Sequence, residues 1–179
     1  PISNQNVMEA HIFHLKDSLP KEVGGGVMWL AMGSPRNAPY LPYYGNITDT
    51  YKAYQDKSTE YSPDSWYWVI SHINDMAAQY PDEFGTEVID EVKALEAEWM
   101  TQQEALDKEM ISLVASDPEK ASELATQESM KRAEETFARL KEIEGSMEER
   151  VAALPTDSET SDTSAGSTNS YLLLGLGVV

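Results

Sequence analysis

The feature that most constrains the fold of this sequence is an unbroken apolar run, Val27 to Met32, that lies between glycines at both ends. Short apolar runs bounded by glycine are typical of β-strands that are covered on both faces. Two neighbouring segments are also strand-like, because Met8 to Lys16 alternates between two sets of side chains and Pro39 to Tyr44 is an aromatic run. The segment LPKEVGGG between the first two has the residues of a turn. We therefore predict an antiparallel meander of three strands within residues 1–61.

Such a sheet cannot cover both of its faces by itself. The helical segments that follow can cover one face, and the sequence offers no candidate for the other. The chain also begins at Pro1 rather than at a methionine. We therefore expect a further part of the protein to lie upstream of Pro1.

Residues 62–154 predict a helical layer. Ser62 and Pro63 favour the start of a first helix, which Pro81 should end. A second helix should run from Pro81 or Thr86 to about residue 115, and a third from the capping residue Asp117 to about residue 154. Apolar residues recur at three- and four-residue spacing in all three segments. The two longer helices should pack as an antiparallel hairpin, with the pair Glu135 and Arg139 on a solvated face of the third.

The C-terminal end has two compositional segments. Residues 155–170 are rich in Ser, Thr and Asp and predict a disordered linker. Residues 171–179, YLLLGLGVV, carry no charge and are too short to span a bilayer. We interpret them as a truncated membrane anchor, the alternatives being a final strand on the sheet or an apolar end created by truncation. An anchor would place the protein outside the cytoplasm, at the cell surface or secreted, whereas without it a cytoplasmic location is the alternative.

Charge and cysteine content exclude several functions. Thirteen basic and 31 acidic residues give a net charge of -18, which argues against nucleic acid as a partner. The sequence contains no cysteine, so it has no disulfide, no thiolate metal site and no thiol nucleophile. We also predict no cofactor and no metal.

No complete catalytic constellation is present, although a few polar residues are candidates. Glu9 and His11 should share one face of the first strand, as a general base pair, as two metal ligands or simply as a polar surface. Asn4 and Asn6 could donate hydrogen bonds to an oxyanion or form a turn. His72 lies off the apolar stripe of its helix, and we interpret it as an exposed polar residue.

Three segments carry a resemblance to a known family: PIS with the following HIF, then GGVMWLAMGSPRN, then YLPYYGNITDT. In this order, and with Trp29, Pro42 and Asn46 in place, they resemble the C-terminal half of the PepD-type dipeptidases. These are cysteine peptidases of the N-terminal-nucleophile hydrolase superfamily. The resemblance is clear from Pro1 to Tyr54 and looser through the helices.

The resemblance implies an α+β fold, in which these strands belong to a partial αββα sandwich of antiparallel sheets. It also implies a dipeptide substrate and a mature N-terminal Cys that attacks the peptide carbonyl, with its own α-amino group as base. That Cys would lie outside this chain, so no catalytic residue carries over and the fragment should be inactive. We predict only that Asn4, Asn6 and His11 face the substrate cleft.

Other functions stay open at this point. The chain could be a non-enzymatic, acidic surface module that binds a partner through its helical hairpin, or an inactive relative of the enzyme kept as a scaffold. Association into a homo-oligomer is a further alternative.

Overall fold

The computed structural model describes residues 7–155 of the chain, and the structural statements below concern these residues. Asn4, Asn6, the predicted linker beyond Pro155 and the apolar segment 171–179 lie outside the described residues.

Three antiparallel strands form the sheet, in the order β1 (Glu9–Leu15), β2 (Gly26–Met32) and β3 (Leu41–Tyr43). The register of β1 and β2 is continuous, from Glu9 opposite Met32 to Leu15 opposite Gly26. The third strand is shorter than the aromatic run suggested, and its central Pro42 lies opposite Trp29. The predicted meander is therefore confirmed.

The turn between β1 and β2 depends on glycine at one position in particular. Gly24 has a φ of 93°, which is unfavourable for residues with a side chain, and a Cβ there would lie 3.2 Å from the Cα of Gly45. A short 3-10 helix, Lys21–Val23, precedes it and buries Val23. The turn thus packs directly against the end of the third strand.

The first helix, α1 (Trp66–Gln79), begins later than predicted. Its N-cap is Ser65, whose side chain accepts a hydrogen bond from the backbone N–H of Trp68, and the predicted cap Ser62 lies in the preceding turn. The difference has a physical reason, because starting the helix at Trp66 points this large side chain into the core, where it is almost completely buried.

The remaining helices are α2 (Pro81–Phe84), α3 (Glu87–Ser116) and α4 (Pro118–Ala152). Asp117 caps α4 by accepting a hydrogen bond from the N–H of Lys120, as predicted. The long helices α3 and α4 pack as the predicted antiparallel hairpin, since Trp99 donates a hydrogen bond to Thr136 and Arg132 donates one to Gln103. The predicted pair of Glu135 and Arg139 is wrong: Arg139 instead contacts Glu142 on its own helix and Glu91 on α3.

The helices cover β2 and β3 and leave most of β1 exposed. On one face of β2 Val27 and Ala31 are buried, and the main core continues through α1, α3 and α4. On the opposite face Met28, Leu30 and Met32 are only partly buried by the described residues, whereas Leu41 and Tyr43 of β3, which lie opposite Leu30 and Met28, are buried. None of the described helices is both long and apolar enough to cross a membrane.

Candidate functional site

The exposed side chains of β1 on one face of the sheet, with their neighbours on β2, form the first candidate surface. Because opposite residues in an antiparallel pair share a face, His11 and Phe13 of β1 lie beside Leu30 and Met28 of β2. Phe13 and Leu15 are 63% and 75% exposed. We call the side chains of Glu9, His11, Phe13 and Leu15, together with Met28, Leu30 and Met32, the open face.

The end of the open face near Leu15 is apolar. A cavity of about 140 Å³ lies there, lined among others by Phe13, Leu15, Met28 and Tyr43. Large side chains that are exposed next to a cavity form a surface suited to packing against another layer of protein.

The other end of the open face is polar, as the alternation of β1 predicted. Glu9 and His11 lie on the same face, and the Nδ1 atom of His11 is 3.2 Å from a carboxylate oxygen of Glu9. The imidazole also packs edge-on against Phe13, with 5.1 Å between ring centroids. A carboxylate that contacts one ring nitrogen can orient an imidazole so that its other nitrogen exchanges protons.

Within residues 7–155, no group of three or more His, Asp or Glu side chains is arranged to hold a metal ion. Glu9 and His11 are both about half exposed, which suits a polar surface as well as a base pair. That His11 faces a substrate cleft stays a prediction, and so does the role given to Asn4 and Asn6.

A buried polar network lies behind the sheet and joins it to the helical hairpin. Asp107 of α3 accepts hydrogen bonds from the Nζ of Lys16 and the hydroxyl of Tyr44, both at 2.5 Å, and from the amide of Gln103 at 2.9 Å. The Gln103 amide oxygen in turn accepts a hydrogen bond of 2.7 Å from Arg132 of α4. The network therefore connects the ends of β1 and β3 with both long helices.

The charges of this network shift the pKa values of its members. Burial and the neighbouring Asp107 carboxylate raise the pKa of Tyr44, so its hydroxyl remains a donor. Burial alone would raise the pKa of Asp107, but the hydrogen bonds from Lys16, Tyr44 and Gln103 outweigh it, and the pKa lies below its usual value. Asp107 therefore stays ionised, and its negative charge compensates the positive charges of Lys16 and Arg132.

This network was not predicted from the sequence, although the sequence contains one signal of it. Gln103 follows Trp99 by four residues and precedes Leu106 and Met110 by three and seven, so it occupies the apolar stripe predicted for the second helix. A polar residue on a buried stripe must have a hydrogen-bond partner. The pattern could thus have indicated a buried polar contact, but not which residues provide it.

His72 is not the simple exposed residue that the sequence predicted. Its Nδ1 atom lies 3.0 Å from a carboxylate oxygen of Glu144 and 3.6 Å from one of Glu148, both on α4. Tyr61 donates a hydrogen bond to the same oxygen of Glu144, and burial together with this carboxylate raises the pKa of Tyr61 to about 12. This cluster joins α1 and the loop before it to α4. Its residues lie far in the sequence from those of the open face.

Comparisons with known proteins agree on one family. The sequence profile of Peptidase family C69 matches residues 1–94. Probable dipeptidase B of Streptococcus pyogenes serotype M6 is 61% identical over 147 residues, which cover 82% of this chain and 30% of that protein. Probable dipeptidase of Latilactobacillus sakei is 30% identical over 98 residues, covering 55% of this chain and 20% of that protein.

Dipeptidase A of Lactobacillus helveticus is 32% identical over 82 residues, covering 46% of this chain and 16% of that protein. The chain thus spans less than a third of the length of the curated relatives it matches. The residues that the family profile matches, 1–94, contain the strand block on which the resemblance to the PepD-type dipeptidases rested. The chain belongs to peptidase family C69.

Proposed function

We propose that this chain is the C-terminal part of a cysteine-type dipeptidase, and that it does not hydrolyse peptides by itself. The observation that carries the proposal is the 61% identity to a probable dipeptidase B over 82% of the chain. Identity at this level over most of the chain supports a shared fold and a shared chemistry.

The nucleophile of the proposed enzyme lies outside this chain. The chain contains no cysteine, and it spans 30% of the length of its dipeptidase B relative. In the proposed reaction the thiolate of an N-terminal Cys attacks the carbonyl carbon of the dipeptide, and the α-amino group of the same residue accepts the thiol proton. The protonated α-amino group returns this proton to the leaving amine as the peptide C–N bond breaks, which releases the C-terminal amino acid and leaves an acyl-enzyme. Water then hydrolyses the acyl-enzyme thioester, which releases the N-terminal amino acid and restores the thiol.

The contribution of this chain is a structural layer and one wall of the cleft. The open face would pack against a second sheet, which completes an αββα sandwich, and the helices form the layer behind it. The apolar end of the open face, at Phe13 and Leu15, suits that packing. The polar end, at Glu9 and His11, is the part of the face where a dipeptide could be contacted.

Hydrolysis by the full-length enzyme tests the proposal. We expect it to cleave dipeptides, to lose activity on alkylation with iodoacetamide, and to lose it again when its first mature residue is changed from Cys to Ser. The 179-residue chain should show no hydrolysis under the same conditions and serves as the negative control.

The contribution of His11 can be measured in the same assay. If His11 faces the cleft, His11→Ala should lower kcat/KM about tenfold or more in the full-length enzyme, whereas the exposed His14→Ala on the other face should not. Full activity of an enzyme that lacks any N-terminal cysteine would contradict the proposed chemistry.

A further inference from the structure

We propose that the outer edge of β1 pairs with a β-strand supplied by the part of the dipeptidase that lies outside this chain. The proposal rests on the proposed function, because it takes the chain as one part of a larger enzyme. It goes further by assigning a specific hydrogen-bonding edge, and the backbone groups that form it, to the contact between the two parts.

The register of the sheet shows which backbone groups of β1 are available. Just outside the strand, the N–H of Gly33 bonds to the C=O of Met8, and the N–H of Lys16 bonds to the C=O of Gly25. Backbone groups alternate between the two edges of an antiparallel strand, so the even-numbered residues bond to β2. The N–H and C=O groups of the odd-numbered residues, Glu9, His11, Phe13 and Leu15, therefore point to the outer edge, where no described strand pairs with them.

This edge lacks the features that protect edge strands from pairing. Natural edges are blunted by proline, lysine, bulges or short length, but β1 has seven residues, EAHIFHL, without proline or lysine. Its register with β2 is continuous, so it has no bulge. The nearest lysine, Lys16, is held by Asp107 and does not guard the edge.

The side chains of β1 indicate the chemistry of the partner. Both faces of the strand carry exposed apolar residues, since Ile12 is 56% exposed on one face and Phe13 63% on the other. A strand that is buried on both faces in the complete protein would have this composition. The partner is therefore an extended segment with apolar side chains on both sides.

The remainder of the enzyme is a better occupant than a second copy. The relatives extend well beyond the segment that this chain matches, since it covers 30% of dipeptidase B, so most of the polypeptide is available to supply a strand. A second copy would bring two chains of net charge -18 together, which opposes association through electrostatic repulsion.

Proline substitutions in the full-length enzyme test the proposal. Phe13→Pro removes an N–H that points to the outer edge and leaves the hydrogen bonds to β2 intact, and Phe13→Ala controls for loss of the side chain. We expect Phe13→Pro to melt at least about 3 °C below Phe13→Ala in the full-length enzyme. In the 179-residue chain the two variants should melt within about 1 °C of each other, because a proline is tolerated at a solvent-facing edge.

A second pair of variants shows that the assay responds to loss of a ladder bond. His14→Pro removes an N–H that bonds to β2, so it should melt below His14→Ala in both proteins. Equal melting temperatures of Phe13→Pro and Phe13→Ala in the full-length enzyme, with His14→Pro destabilised, would overturn the proposal.

Other occupants give different results. If the 179-residue chain forms a dimer that Phe13→Pro abolishes, a second copy occupies the edge and the proposal is overturned. If Phe13→Pro destabilises the 179-residue chain and deletion of residues 171–179 removes that effect, the occupant is the chain's own C-terminal segment, and the proposal is again overturned.

The experiment distinguishes failure of the edge contact from failure of the proposed function. If the enzyme hydrolyses dipeptides but Phe13→Pro melts at the same temperature as Phe13→Ala, the proposed function stands and the edge contact fails. If Phe13→Pro destabilises the enzyme but the enzyme cleaves no dipeptide, the edge contact stands and the proposed function fails.

Discussion

At the scale of single residues, Asp107 has the largest expected effect on stability. This residue is 7% exposed, and its carboxylate accepts hydrogen bonds from Lys16, Tyr44 and Gln103. Asp107→Asn would leave two cations in the network without their anion, and breaking a buried pair in this way is strongly destabilising. We expect the free energy of unfolding to fall by about 3 kcal/mol, measured by urea denaturation.

The matched control is Glu104→Gln, since Glu104 is an exposed carboxylate on the same helix. Its effect should stay within about 0.5 kcal/mol. Equal effects of the two substitutions would show that the Asp107 network contributes no more to stability than a surface charge.

Asp107 should also make stability depend on pH in the acid range. Because its pKa is lower in the folded protein than in the unfolded chain, its contribution is present above the unfolded value of about 4 and is lost as the pH falls toward the folded value. We expect the free energy of unfolding to decrease more steeply below about pH 5 in the wild type than in Asp107→Asn. Parallel curves for the two proteins would contradict this assignment.

At the scale of secondary-structure elements, Gly33 fixes how the end of β2 meets α1. Its φ is 98°, and a Cβ at this position would lie 2.5 Å from the Cγ2 atom of the buried Ile70. Gly33→Ala therefore combines backbone strain with a clash that the core cannot relieve, and we expect a loss of about 3 kcal/mol.

Gly25→Ala separates the two contributions. Gly25 also has a positive φ, of 64°, but no atom lies within 4 Å of a Cβ built there. Its loss should be limited to the strain, about 1 kcal/mol. If thermal unfolding shows equal losses for both variants, Gly33 is not in close contact with α1.

The start of α1 gives a second test at this scale. Ser65→Ala removes the side chain that accepts from the N–H of Trp68, so we expect a loss of about 1 kcal/mol. Ser62→Ala, at the position that the sequence favoured, should change stability by less than about 0.5 kcal/mol. If chemical denaturation instead shows a larger loss of stability for Ser62→Ala than for Ser65→Ala, Ser62 is the cap.

The elements themselves were predictable because they depend on local periodicity. The alternation of β1, the apolar run of β2 and the stripes of α3 and α4 each reflect neighbours along the chain. The start of α1 could not be placed, because two serines three residues apart are both good caps, and only the burial of Trp66 decides between them.

The polar contacts were not predictable for a related reason. Lys16 and Asp107 are 91 residues apart in the chain, and His72 and Glu144 are 72 apart. No periodic pattern brings such pairs together, because their contact follows from how the hairpin docks on the sheet. The polar end of the open face was predictable, since Glu9 and His11 are two residues apart on one strand.

At the scale of the whole molecule, the open face predicts how the chain behaves alone. Exposed Phe13 and Leu15 beside a cavity should bind a dye such as anilinonaphthalene sulfonate. We expect dye fluorescence to increase with the 179-residue chain and to fall severalfold in a Phe13→Ser, Leu15→Ser double variant that retains its helical circular dichroism. A chain that binds no dye and unfolds in one sharp transition would instead favour an independent interaction module.

The most direct test of the account is the kcat/KM for dipeptide hydrolysis of the full-length enzyme with and without the segment that this chain represents. We expect the complete enzyme to be active and the truncated one to lose all measurable hydrolysis, because in the proposed enzyme the segment forms one layer of the catalytic unit. A truncated enzyme that retains full activity would contradict the account and make this segment an appendage of the peptidase rather than part of it.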